Sequence, residues 1–373
     1  MIKVLFFMDG IGNAGGIQEM AIKWMENVDH SKVKIDILTY CHVKADNYTE
    51  RVKALGGEVY VIESFQEKNK FLLSMSQTAS FFKQHSDYSI IHAHASSKAF
   101  FVLWFAKKSG IKVRILHSHA TRFVMTGKIA LLAANILKPL ANMMATNYFA
   151  CSPEAGEFLF GKHKKVFIAH NGIDTNLFFP NKSIRIQMRK ELQVEDNCFL
   201  IGNVGRFRPQ KNHTFLMDIF KEVCSLDNKA RLVCVGGGEL ENAIKEKAKF
   251  LGISDRIIFL GVRKDVNKLM QAFDLLVMPS LFEGLPVTGV EAQAVGTPCL
   301  FASTITKDAA ILPNTSYLKL EDSPKQWAEK ILSYKQQHRL VNATDYVRQK
   351  GYDILLETQK MQNFYIEELK KYE

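Results

Sequence analysis

Glu283 and Glu291 lie eight residues apart in Ser280-Leu281-Phe282-Glu283-Gly284-Leu285-Pro286-Val287-Thr288-Gly289-Val290-Glu291. The preceding run, Asp274-Leu275-Leu276-Val277-Met278-Pro279, is short and apolar enough to form a buried parallel strand, so Glu283 falls in a strand-to-helix loop, where open α/β sheets bind ligands. Pro286 suits the first turn of a helix, and Gly296 followed by Pro298 supplies a stop about ten residues on. Glu291 then sits in the second turn. The N–H groups at such a helix start, with the positive end of the macrodipole, make a site for phosphate, and the two carboxylates flank it. Taken alone, two glutamates at this spacing are explained equally well as solvated surface charges.

The elements that must position these residues follow from the alternation of short apolar runs with helical patterns, the signature of doubly wound sheets. Strands are expected at 2–7, 34–40, 59–62, 89–93, 114–117, 145–152 and 165–170, with helices over 18–27, 72–84, 99–109 and 153–161. Asn171-Gly172-Ile173-Asp174 is a turn. Winding restarts with the strand 198–205, the loop Arg206-Phe207-Arg208-Pro209-Gln210-Lys211-Asn212 and a helix over 213–226. Further strands are expected at 231–235, 256–263 and 274–279, with another in the region bracketed by Lys307-Asp308 and Pro313-Asn314. Helices are expected over 265–272, 324–337 and 347–369. The apolar stretch 129–145, broken by Asn135, Lys138 and Pro139, is too short to span a bilayer and reads as a buried helix.

Gly10, Gly12 and Gly15 match a dinucleotide fingerprint in its strand–turn–helix place, which argues for a dehydrogenase. That reading requires an acidic residue at the end of the next strand. The strand ends in Thr39 and Tyr40 and carries Asp36 in its middle, so the second half of the signal fails. Two histidine pairs, His92-x-His94 and His117-x-His119, end two strands, and alternation sends both members of a pair to one side. No nearby Asp, Glu or Cys spacing completes a metal site.

The Glu-Gly-Leu-Pro stretch with its second glutamate, the Gly205-Arg206-x-x-x-x-Lys211 loop and the Asn-Gly-Ile-Asp junction with its downstream Phe-x-Pro together resemble the family 4 glycosyltransferases (glycosyl transferases group 1). The resemblance spans nearly the whole chain and is most specific in its second half. It looks like the subgroup that builds capsular and extracellular polysaccharide.

The resemblance implies an α/β chain of GT-B fold, with two Rossmann-like doubly wound domains facing across a cleft. Residues 1–171 would bind the acceptor and 172–373 the nucleotide sugar, with the last helix crossing back onto the first domain. The implied activity is retaining transfer of a hexose or N-acetylhexosamine from a nucleotide diphosphate sugar, expected to be a UDP-sugar, to a lipid-linked saccharide. Arg206 and Lys211 would stabilise the departing diphosphate, since two cations placed on developing negative charge lower the barrier. They would stand in for a metal ion, so no metal or other cofactor is expected. Glu291 would hold the ribose, and Glu283 with His117, or failing that His119, would face the transferred sugar. Leu285, Pro286, Val287 and Thr288 complete the donor loop, backbone near Val262 and Arg263 would read the base, and Gly15 and Gly16 would let backbone approach the donor phosphates or the acceptor. The alternatives are a GT-B epimerase or phosphorylase, since one scaffold carries several chemistries, or an inactive sugar-binding or membrane-surface protein.

Composition fits ordinary globular protein: 373 residues, 47% hydrophobic and 23% charged. Six scattered cysteines without Cys-x-x-Cys spacing argue for reduced thiols, and a strand at the amino terminus leaves no secretory signal, so a cytoplasmic protein is expected. The net charge of +11 is uneven. Residues 1–171 hold 21 Lys/Arg against 13 Asp/Glu, and 68–138 hold eleven bases against Asp87 alone, among many aromatics. Such a face could rest on the anionic inner surface of the cell membrane. No nucleic-acid recognition motif accompanies it.

Overall fold

A computed structural model describes residues 1–10, 16–40, 48–65, 70–121, 127–283 and 285–373. The chain divides into two compact units, Met1–Gly172 with Ile354–Glu373, and Ile173–Asp353. The first holds the parallel strands β1 (Ile2–Met8), β2 (Val33–Thr39), β3 (Val59–Val61), β4 (Ile90–Ala93), β5 (Val113–Ser118), β6 (Asn147–Ala150) and β7 (Val166–Ile168), in the order β3-β2-β1-β4-β5-β6-β7. The second holds β8 (Leu200–Val204), β9 (Arg231–Val235), β10 (Ile257–Phe259), β11 (Leu275–Met278), β12 (Cys299–Ala302) and β13 (Ser316–Leu318), in the order β10-β9-β8-β11-β12-β13. Each begins with the Rossmann arrangement, whose reversal point falls beside the first strand: between β1 and β4 in one unit, between β8 and β11 in the other.

Local chemistry explains the elements. Strands covered by helices on both faces must be apolar throughout, and Val4 to Phe7 and Leu275 to Met278 are fully buried runs. Three helices start at capping residues: the Ser152 hydroxyl accepts from Ala155 N–H ahead of Pro153, Asn181 caps the helix Lys182–Glu191, and Ser323 with Gln326 forms a capping box.

Three expectations are corrected. The segment 307–314 is not a strand. It opens with the short 3₁₀ turn Lys307–Ala309, and its backbone is held instead by the buried Gln293, whose Oε1 accepts from Ile311 N–H (2.8 Å) and Leu312 N–H (2.9 Å) while Nε2 donates to Ala309 O (2.7 Å). The single helix over 347–369 is two, Ala343–Gln349 and Ile354–Lys370, parted at Gly351, whose φ of 82° breaks the helical path. Only the later one belongs to the first unit.

The helix over 129–145 exists, at Lys128–Met144, yet it is not buried. Ala134 and Ala141, seven apart on one face, are its fully buried residues, while Ile129 is 85% exposed and Leu131, Leu132, Ile136 and Met143 are exposed too. Small residues carry the packing against the helix Phe100–Lys108 and the turn Ser96–Ala99, leaving the large aliphatics outside. Among the described residues no helix is long and apolar enough to cross a membrane.

Candidate functional site

In the second unit, three loops meet at the carboxyl edge of the sheet. Gly205 N–H donates to Val235 O (2.9 Å), Phe207 N–H to Gly237 O (3.0 Å) and Gly236 N–H to Gly261 O (2.8 Å). This close approach is why glycines follow β9. Gly236 has φ 139°, and a Cβ there would stand 2.1 Å from Gly205 O. The loop after β8 carries Arg206, exposed, and Lys211, in the 3₁₀ turn Pro209–Lys211.

The loop after β11 is fastened to it. Leu281 N–H donates to Gln210 O (2.8 Å), Gln210 Nε2 donates to Phe282 O (3.0 Å) and Glu283 Oε2 (3.2 Å), and Lys211 Nζ donates to Glu283 Oε1 at 2.6 Å. Lys211 and Glu283, 72 residues apart in sequence, therefore form a mostly buried ion pair at the reversal point between β8 and β11. A charge-assisted hydrogen bond of this kind contributes about 1.5–3 kcal/mol.

The helix Val287–Ala294 starts beside this pair. No side chain caps it, and Glu291 lies in its second turn, half-buried. Pro286 is its N-cap rather than its first residue. The side chains of Leu285 and Val287 pack on the core, Pro286 is buried, and Thr288 Oγ1 lies 4.0 Å from Met278 Sδ. These four residues thus offer a ligand backbone rather than side chains. Gly284 lies outside the described residues. Val262 is 81% exposed, and the Arg263 guanidinium is taken by Asp265 (2.7 Å) and Glu191 (3.0 Å), so that position too is left with backbone to offer.

The loop also contains residues that pattern reading passed over. Gln210 ties the two loops together, and its place between Arg206 and Lys211 was the available signal. His213 is buried, stacks on Phe207 at 4.2 Å, and has no hydrogen-bond partner at either ring nitrogen among the described residues. Burial, then the nearby Lys211 charge, depresses its pKa from 6.5 to about 4.

In the first unit, both histidine pairs converge at the ends of β4 and β5. His92 Nε2 lies 2.9 Å from His117 Nδ1, His94 Nδ1 lies 2.9 Å from His119 Nε2, and His92 Nδ1 lies 2.6 Å from Tyr365 Oη. Trp24 covers the group, stacked on His117 at 5.4 Å. Burial holds all four imidazoles neutral, with His119 pushed down to about 3. Ring nitrogens of His92, His94 and His117 come within 4.8 Å of one another, a juxtaposition that strand spacing did not reveal. Their rings lie 18–40° apart in plane, an arrangement of neighbouring, hydrogen-bonded imidazoles. His117 is wholly buried, whereas His119 is half-buried at the strand mouth.

Gly16 begins the helix Gly16–Asn27 with nothing within 4 Å of where a Cβ would stand, so neither packing nor backbone angle demands glycine there. Gly12 and Gly15 lie outside the described residues. Asp36 cannot serve a dinucleotide ribose: its carboxylate accepts from Tyr88 Oη (2.8 Å) and Glu58 N–H (2.8 Å) inside the sheet.

Comparison with known proteins identifies the family and the fold. The profile of the family described as "Glycosyl transferases group 1" matches residues 184–353. EpsF of Bacillus subtilis (strain 168), which bears a glycosyltransferase name, is 33% identical over 338 residues, covering 88% of this chain and 86% of EpsF. The UDP-Gal:alpha-D-GlcNAc-diphosphoundecaprenol alpha-1,3-galactosyltransferase of Escherichia coli is 29% identical over 224 residues, 58% of each chain. Among solved structures, Anabaena Alr3699/HepE in complex with UDP and glucose superposes with a TM-score of 0.77 at 20% identity, over 98% of this chain and 99% of that one. With two Rossmann-like α/β units of the GT-B kind and a relative that matches most of its length, the chain belongs to the glycosyl transferases group 1 family and is a glycosyltransferase.

Proposed function

We propose that this enzyme moves a hexose or N-acetylhexosamine from a UDP-sugar to a hydroxyl of a lipid-linked saccharide, with retention of configuration, during capsular or extracellular polysaccharide assembly. The observation that carries the reading is the Lys211–Glu283 pair beside the uncapped start of Val287–Ala294. It gathers a cation, a carboxylate and a helix N-terminus at the reversal point of the second unit's sheet. The donor then binds the second unit and the acceptor the first. In this reading the diphosphate meets Arg206, Lys211 and the N–H groups of the helix, Glu291 takes the ribose hydroxyls, and Glu283 faces the sugar. Of the two imidazoles expected near the sugar, His119 is the less buried, whereas His117 lies beneath Trp24.

The acceptor hydroxyl attacks the face from which the diphosphate leaves, and a diphosphate oxygen accepts the proton. Two cations and a helix dipole supply the stabilisation of developing charge that a metal ion gives elsewhere. The bound UDP of Alr3699/HepE and the UDP-Gal and diphosphoundecaprenol in the name of the Escherichia coli relative support the choice of donor and acceptor. The exposed aliphatic face of Lys128–Met144 and the basic balance of the first unit support peripheral contact with the inner face of the cell membrane.

Isothermal titration with UDP, GDP, ADP and NAD, repeated with Glu291→Ala and Arg206→Ala, tests the donor site. Micromolar binding of UDP that weakens at least about tenfold in each variant, about 1.4 kcal/mol, is the expected result. Equal affinity in folded variants refutes the site. Conversion of UDP-N-acetylglucosamine without an acceptor would turn the reading to epimerase chemistry.

A further inference from the structure

The first unit contains a cavity of about 630 Å³ that the donor chemistry does not use, within the range of about 300–1,000 Å³ typical of ligand pockets. It opens at the carboxyl edge of the sheet. Tyr40 follows β2, Ser97 and Lys98 belong to the turn after β4, and one wall is the helix Lys128–Met144 that follows β5.

The lining is polarised. At one end are Gly127, with φ 103° and no capping side chain, and Lys128, the first helical residue, so a positive charge and a helix N-terminus coincide. From there Ala130, Ala133, Ala134 and Leu137, at helical spacings of three and four, present an apolar face about 10 Å long toward the cavity. Phe65 and Phe101, stacked at 4.5 Å, line it as well. The charged residues of the described lining are Lys98 and Lys128, both basic, and Lys98 is already engaged by Asp9 at 2.5 Å. Ile129 also lines the cavity near Lys128, while Leu131, Leu132 and Ile136 of the same helix are exposed and do not line it.

An anionic head followed by a hydrocarbon chain matches this order of surfaces, and neither a free sugar nor a free phosphate does. We infer that the cavity holds the first isoprenoid segment of a lipid diphosphate, with the diphosphate at Lys128 and the start of its helix and the chain along Ala130, Ala133 and Leu137. The inference rests on the lipid-linked acceptor proposed above for the identity of the lipid; the pocket itself stands on its lining.

Binding of farnesyl diphosphate, below its aggregation concentration, is measured by titration against inorganic diphosphate, using wild type, Ala133→Trp and Lys128→Glu. UDP binding is measured on each protein as a check on fold. The expected result is that farnesyl diphosphate binds at least tenfold tighter than inorganic diphosphate, and that each variant loses at least tenfold toward it while binding UDP unchanged. Equal affinity for the two probes, or a farnesyl diphosphate affinity that Ala133→Trp leaves intact, overturns the pocket. Sedimentation with phosphatidylglycerol vesicles but no binding of farnesyl diphosphate also overturns it, and makes the exposed helix face a membrane surface only. Loss of UDP binding with farnesyl diphosphate binding retained would strike the donor reading and leave the pocket standing.

Discussion

Replacing Lys211 by Met removes one charge and keeps the stem, which packs against Gly205: a Cβ on that glycine would stand 3.2 Å from Lys211 Cε. What disappears is the 2.6 Å bond to Glu283, between side chains only 20% and 10% exposed, together with the positive charge that the proposed donor site would offer a diphosphate. A charge-assisted hydrogen bond of about 1.5–3 kcal/mol corresponds to a loss of about tenfold to 150-fold. The loss should lie toward the upper end, since Glu283 then keeps the neutral Gln210 amide, at 3.2 Å, but not the Lys211 cation, and repels an incoming phosphate. Titration with UDP should show weaker binding by this factor, and initial rates with donor and acceptor should fall by at least about tenfold in kcat. Adding Glu283→Gln should relieve the uncompensated carboxylate and recover stability, seen as a higher Tm than Lys211→Met alone, without recovering turnover. A folded Lys211→Met protein that binds UDP like wild type, or a double variant with restored turnover, would refute the assignment of Lys211 to the diphosphate.

Three further outcomes follow from the geometry. His213 is held neutral with a pKa of about 4 against 6.5 when unfolded, so its contribution of about 3 kcal/mol is fully present above pH 6.5 and is lost as the pH falls toward 4; urea melts at pH 7 and pH 4.5 should show this slope flattened in His213→Gln. Gln293→Leu leaves the buried Ile311 and Leu312 N–H groups and Ala309 O without their partner, and should cost about 3 kcal/mol or more in the same melts, with UDP affinity falling as the neighbouring helix loosens. Gly236→Ala forces a methyl to 2.1 Å from Gly205 O at a φ of 139°, so stability should fall by about 2 kcal/mol or more and UDP binding should weaken because the loop of Arg206 is displaced.

Much of the second unit was legible because its strands are short apolar runs ended by glycine or proline, and because Arg206, Lys211, Glu283 and Glu291 sit at fixed offsets from those ends. Local pattern could not show that Lys211 and Glu283 touch, since their contact depends on the pairing of β8 with β11. Nor could it show the exposure of Lys128–Met144. An apolar count treats Ala134 and Leu132 alike, whereas packing selects the alanines because helix axes approach closely only over small side chains. Apolar Ala309, Ile311 and Leu312 suggested a strand for the same reason: burial was readable, but the side chain that satisfies their backbone, Gln293, comes from a helix sixteen or more residues earlier. The histidine group required four residues from two strand ends, with Tyr365 and Trp24 from opposite ends of the chain.

The return of Ile354–Lys370 to the first unit bears on how the chain is made. Met361 and Tyr365 are fully buried in the same core as Val4, Phe6 and Trp24, so the amino-terminal half emerges from the ribosome lacking one of its own walls. The unit from Ile173 to Asp353 is continuous and complete before those last residues exist. Synthesis therefore favours the later unit as the earlier to finish folding, while the opening strands wait with an apolar flank uncovered. A nonsense codon near position 353 would spare the unit from Ile173 to Asp353 and leave the amino-terminal unit as the part that aggregates.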